Sequence, residues 1–134
     1  MEHFLLDTNI CIYIIKQKPI AVFERFRSLP LGSVGISTIT LSELAYGIEK
    51  SSKPAQNREA LHQFLLPLEI YDFDVAAATE YGEIRTLLES KGTPIGPLDT
   101  QIAAHARALG HTLITNNERE FNRVIGLVVE NWVK

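Results

Sequence analysis

Acidic and amide side chains recur in this chain beside short apolar runs. Asp7 follows Phe4-Leu5-Leu6, Glu43 lies in Thr40-Leu41-Ser42-Glu43-Leu44, and Asp99 follows Gly96-Pro97-Leu98. Asn117 and Glu120 lie in a polar stretch after Thr112-Leu113-Ile114-Thr115. Singly, each has an ordinary role: Asp7 as a helix cap, Glu43 as the partner of Thr40 in a capping box, Asp99 as a first-turn acid, Asn117 as a turn residue. Together they suggest chemistry. If the apolar runs are parallel strands, the groups that follow them project from one edge of a sheet, where ligands bind. Three carboxylates there repel and raise one another's pKa values unless a cation intervenes. All-oxygen donors suit Mg²⁺ or Mn²⁺, whereas zinc prefers nitrogen and sulfur. Such a site is best suited to phosphate-ester hydrolysis, because a divalent ion activates water and stabilises the charge that builds on phosphate; two ions about 4 Å apart do so most fully.

Several elements must hold these groups in place. Phe4-Leu5-Leu6 reads as a strand buried on both faces, ending at Asp7. Thr8 is the expected N-cap of a helix reaching about Gln17, and Pro19 opens a second short helix with Val22, Phe23 and Phe26 on its apolar face. A strand over Ser33–Ser37 leads into a helix over Thr38–Lys50. After a break at Ser51–Pro54, a helix covers Asn57–Leu66. Glu69–Phe73 is a third strand, and Asp74 caps a long helix over Val75–Ser90 that stops at Gly92. A helix over Leu98–Leu109 ends at Gly110, a strand covers Thr112–Thr115, Asn116–Glu120 is a polar turn, and Leu127–Val129 is an edge strand. Strands alternating with helices imply an α/β fold with a central parallel sheet of four to five strands, in one domain over residues 1–134.

Composition sets further bounds. The chain has 134 residues, 46% hydrophobic and 22% charged, with a net charge of −3. That balance argues against a broad basic nucleic-acid-binding face but allows an enzyme that binds nucleic acid locally with the help of metal ions. No apolar stretch approaches the ~20 residues of a membrane span, and the N-terminus lacks a signal-peptide pattern. A single cysteine, Cys11, excludes an internal disulfide and fits a reducing, cytoplasmic setting. Cys11 reads as core packing, and His105 as structural. No phosphate loop or dinucleotide fingerprint is present.

The motifs then resemble those of a known family. Leu6-Asp7-Thr8-Asn9, Ser42-Glu43-Leu44 with Tyr46-Gly47, Pro97-Leu98-Asp99-Thr100-Gln101, and Thr115-Asn116-Asn117-Glu118-Arg119-Glu120-Phe121 resemble the PIN-domain ribonucleases, and among them the VapC toxins of bacterial toxin–antitoxin pairs. The likeness runs to Trp132, and its third and fourth motifs look like the branch that cuts initiator tRNA in the anticodon loop. The resemblance implies a three-layer α/β/α domain and an Mg²⁺-dependent endoribonuclease, with Mn²⁺ able to substitute. Asp7 and Asp99 would be the principal metal ligands, and Glu43 would complete the acidic cluster directly or through water. Asn117 stands where many PIN domains have a fourth Asp, which weakens a second metal site, and Glu120 is near enough to compensate. Thr8 and Asn9 would orient Asp7 or contact phosphate, and Thr115 would position water. A homodimer is implied, as is inhibition by a VapB-type antitoxin whose C-terminal segment covers the active site. Arg85, Lys91, Arg107 and Arg119 are candidates for RNA contact.

Two other readings stand beside this one. An aspartyl-phosphate enzyme would also place an acid such as Asp7 at a strand end, but it needs a second Asp two residues on and a Lys after a later strand, and neither is present. In a non-enzymatic binding module the same acids would serve only as caps and turns.

Overall fold

Phe4, Leu5 and Leu6 are each at most 2% exposed, so the first strand is covered from both sides. Successive strand residues point to opposite faces. Phe4 and Leu6 therefore enter one hydrophobic cluster and Leu5 enters another. The computed structural model describes all residues, Met1–Lys134.

In chain order the elements are β1 (Phe4–Leu6), α1 (Thr8–Lys16), α2 (Ile20–Arg27), β2 (Val34–Ser37), α3 (Thr38–Glu49), α4 (Pro54–Leu65), β3 (Glu69–Tyr71), α5 (Val75–Ser90), α6 (Pro97–Leu109), β4 (Thr112–Ile114), α7 (Glu118–Phe121) and β5 (Val129–Glu130). The five strands form one sheet in the order β3-β2-β1-β4-β5, and every neighbouring pair is parallel. On one face, Phe4, Leu6, Val34, Ile36 and Ile114 pack against apolar residues of α1 to α4. On the other, Leu5 and Leu113 pack against Ile84 and Leu88 of α5 and Ile102 and Ala103 of α6. The parallel α/β expectation holds, with helices on both faces of the sheet.

Several local expectations change. Asp7, not Thr8, is the N-cap of α1: its extended backbone (φ −78°, ψ 172°) lets the carboxylate accept from the Ile10 N–H at 2.9 Å. The capping box at Thr40–Glu43 does not form. Ser37 caps α3 by accepting from the Ile39 N–H at 3.0 Å, so Thr40 is already inside the helix and Glu43 lies in its second turn. Helix α4 begins at Pro54, where a missing N–H costs nothing, rather than at Asn57. Strand β3 ends at Tyr71, β5 is displaced to Val129–Glu130, and the Asn116–Glu120 turn contains the start of the one-turn helix α7.

Candidate active site

The sheet order places β2 and β3 on one side of β1, and β4 and β5 on the other. The point where chain order reverses is the crevice at the carboxyl ends of β1 and β4. Asp7 follows β1 at this point, and its backbone N–H donates to the Ile114 carbonyl at 3.0 Å, which ties it to the end of β4. The residue is only 5% exposed. Burial is the main cause pushing its pKa up to about 6; the Thr115 side chain and the Ile10 N–H pull it down, while Asp99 and Glu43 push it further up.

Asp99 is the third residue of α6, after Pro97. Burial raises its pKa first, then the carboxylates of Glu43 and Glu120. Glu43 comes from α3 on the other side of β1, and the Thr8 hydroxyl donates to its Oε1 at 2.7 Å. Of the two roles expected for Thr8, orienting Asp7 or contacting phosphate, the first goes to Glu43 instead of Asp7. The Asn117 side-chain amide donates to Glu120 Oε2 at 2.9 Å, and its backbone N–H donates to Thr115 Oγ1 at 2.9 Å. Asp7, Glu43 and Asp99 thus form a mutually interacting set, Glu120 joins through Asp99, and Asn117 is tied to Glu120 and Thr115. Asn9 is exposed.

None of these acids is paired with a basic side chain. The ion pairs of the chain involve Glu130, Glu49, Glu89, Glu80, Glu83 and Glu118 instead. Relief of the repulsion must come from protons or from an external cation. No group of three His, Cys, Asp or Glu side chains is set closely enough to cage an ion unaided. The donors are all carboxylate oxygens, the type that a hard cation such as Mg²⁺, held by one or two carboxylates and several waters, would use.

Two of the basic candidates are engaged elsewhere. Arg107 reaches Glu80, Glu83 and the Ile125 carbonyl, which fixes α6 to α5 and the loop before β5. Arg85 is held by Tyr81 and Glu89 along α5. Lys91 and Arg119 are exposed. Cys11 is fully buried, and burial with the neighbouring Asp7 charge drives its thiol pKa well up, so it is no nucleophile. Sequence reasoning gave Ser37 no role beyond ending a strand. Its position immediately before a helix-periodic run was the available signal.

Residues 4–127 match the family model described as the PIN domain. The chain is 50% identical over 132 residues to the tRNA(fMet)-specific endonuclease VapC of Shigella flexneri, covering 98% of this chain and 99% of that one. The chain is a VapC-type member of the PIN-domain family. Similar PIN proteins include ribonuclease VapC2 of Rickettsia felis, at 46% identity with 98% of each chain covered. Among solved structures, this PIN domain superposes on DNA-bound VapBC from Salmonella typhimurium with a TM-score of 0.92, at 48% identity over 98% of this chain and 99% of that one. VapBC2 from Rickettsia felis bound to a promoter DNA fragment gives 0.91, at 45% identity over 96% and 98% of the two chains.

Proposed function

We propose that this chain is the toxin of a toxin–antitoxin pair, an Mg²⁺-dependent endoribonuclease that hydrolyses RNA in the anticodon loop of initiator tRNA. One observation carries the chemistry: Asp7, Glu43 and Asp99 are drawn together at the switch point of a parallel sheet with no basic side chain to neutralise them. The tRNA(fMet)-specific names of the Shigella and Salmonella relatives support the substrate.

In this reading Asp7 and Asp99 hold the ion, with Mn²⁺ able to replace Mg²⁺, and Glu43 completes the acidic cluster. When bound, the ion supplies Lewis-acid stabilisation of the scissile phosphate and an activated water. The rest is done by the chain. The Ile10 N–H and Thr115 fix the Asp7 carboxylate, Thr8 fixes Glu43, and Asn117 holds Glu120 beside Asp99. Asp7, its pKa pushed up to about 6 mainly by burial, is largely ionised at neutral pH and would be ready to hold the cation.

The partner in this reading is a VapB-type antitoxin, supported by the VapBC complexes among the solved relatives. An apolar groove lined by Ile12, Ile15, Leu44 and Ile48 opens beside Glu43, and a docked antitoxin segment there would cover the acids. A homodimer acting in the cytoplasm completes the proposal; no helix of the chain is long and apolar enough to cross a membrane.

The test is to incubate purified protein with total tRNA in Mg²⁺, Mn²⁺ or excess chelator, and to sequence the new RNA ends. A single cut in the anticodon loop of initiator tRNA, lost with chelator, is expected. No cleavage with either ion, or equal cleavage in chelator, overturns the proposal.

A further inference from the structure

His105 is 1% exposed and lies two turns into α6 beyond Asp99. Its Nδ1 is 2.8 Å from the hydroxyl of Ser37, the residue that caps α3. Ser37 Oγ already accepts from the Ile39 N–H, so its own proton is free to be donated to Nδ1. The other side of the ring is within reach of the Asp72 backbone after β3, and the edges of Tyr71 and Phe73 close over it. One imidazole therefore joins α6, the start of α3 and the segment after β3.

Its placement relative to the acids is regular. Glu43 lies six residues after Ser37 on α3, and His105 lies six residues after Asp99 on α6. The two segments are therefore linked at two levels: the Ser37 cap is within hydrogen-bond distance of His105, and the Glu43 carboxylate is near enough to Asp99 to raise its pKa. Six residues of helix are about 9 Å on each side. Equal spacing means that a slide or splay at the histidine level is transmitted to the carboxylate level.

We infer that His105 is a positioning residue for the acidic site: by holding the Ser37 cap it sets the register of α3 against α6, and so the separation of Glu43 from Asp99. The inference rests on those acids being the cation site proposed above. A hydrogen bond this buried constrains geometry more than it adds net stability, since replacing it with an apolar contact of similar volume can be nearly neutral.

His105→Leu fills the space between Tyr71 and Phe73 but cannot bond Ser37. His105→Asn keeps a polar atom near the Nδ1 position. Ser37→Gly removes the hydroxyl from the other side while leaving an acceptable cap. Each variant is compared with wild type at matched folded fraction, by Mn²⁺ affinity from calorimetry and by kcat and KM for tRNA cleavage. His105→Leu should bind Mn²⁺ several-fold more weakly and lose about tenfold or more in kcat with little change in KM. His105→Asn should recover part of both, and combining His105→Leu with Ser37→Gly should add little to either single change. A folded His105→Leu protein with wild-type Mn²⁺ affinity and kcat overturns the inference alone. A wild type that binds Mn²⁺ but cleaves no RNA overturns the nuclease proposal, while the Mn²⁺ comparison still decides the role of His105. A wild type that does neither overturns both.

Discussion

Asp7 is asked to do two things that conflict. As the cap of α1 it accepts from the Ile10 N–H, and as a buried acid beside Asp99 and Glu43 it resists ionisation. Its folded pKa, about 6, lies above the ordinary 3.8. The metal-free protein therefore keeps the associated stability below about pH 4 and loses it as the pH rises through about 6, a loss on the order of 3 kcal/mol. Asp7→Asn keeps a good cap and removes the charge. Without metal it should melt about 5–10 °C above wild type at pH 7.5 and show no gain at pH 4, while RNA cleavage is abolished. Thermal melts at the two pH values check this, and a variant less stable than wild type at pH 7.5 would refute it. Asn117 offers the converse test. Asn117→Asp replaces the donor to Glu120 with a like charge, so the metal-free protein should lose about 1 kcal/mol and Mn²⁺ affinity should rise several-fold. Denaturant unfolding and calorimetry read the two effects; unchanged affinity would place Asn117 outside the cation's reach.

The elements hold these residues through tight local contacts. Gly35 of β2 lies under β3, where an added Cβ would sit 2.5 Å from the Tyr71 ring and 2.6 Å from the Glu69 carbonyl. Gly35→Ala should therefore cost about 2 kcal/mol in urea unfolding. Because the displaced Tyr71 ring packs against His105, kcat of the folded fraction should fall as well. The elements that were easiest to read carry their own punctuation: Asp74 before α5, Pro97 and Gly110 around α6, and the uninterrupted apolar run of β1. The start of α4 carries no capping signal, since Lys53, its cap, makes no side-chain bond that a sequence pattern could reveal. The α3 cap is ambiguous in sequence because β2 passes directly into the helix without a loop, which leaves two Ser/Thr candidates, Ser37 and Thr40, three residues apart. At the site, the acids could be picked out as a set. Their partners could not, since Thr8 meets Glu43 across 35 residues of chain and Arg107 is occupied by acids on a different helix.

Over the whole molecule the net charge is −3, and Arg25, Arg58, Arg85 and Arg107 are each committed to an acid. Long-range attraction for RNA is correspondingly small, and exposed cations near the site edge must supply it locally. Arg119→Ala should flatten the dependence of log KM on log salt by about 1 and leave kcat in saturating substrate nearly unchanged. An unaltered salt slope would assign Arg119 to solvent. The central claim is that an unneutralised set of acids at the switch point is a divalent-cation site. Calorimetric titration of Mn²⁺ into the metal-free protein, in buffers of different ionisation enthalpy, tests it most directly. Wild type should bind Mn²⁺ with proton release at pH 6 that falls towards zero by pH 8, and Asp7→Asn should bind far more weakly and without that release. Absence of Mn²⁺ binding by wild type, or binding that Asp7→Asn and Asp99→Asn leave intact, would contradict the claim.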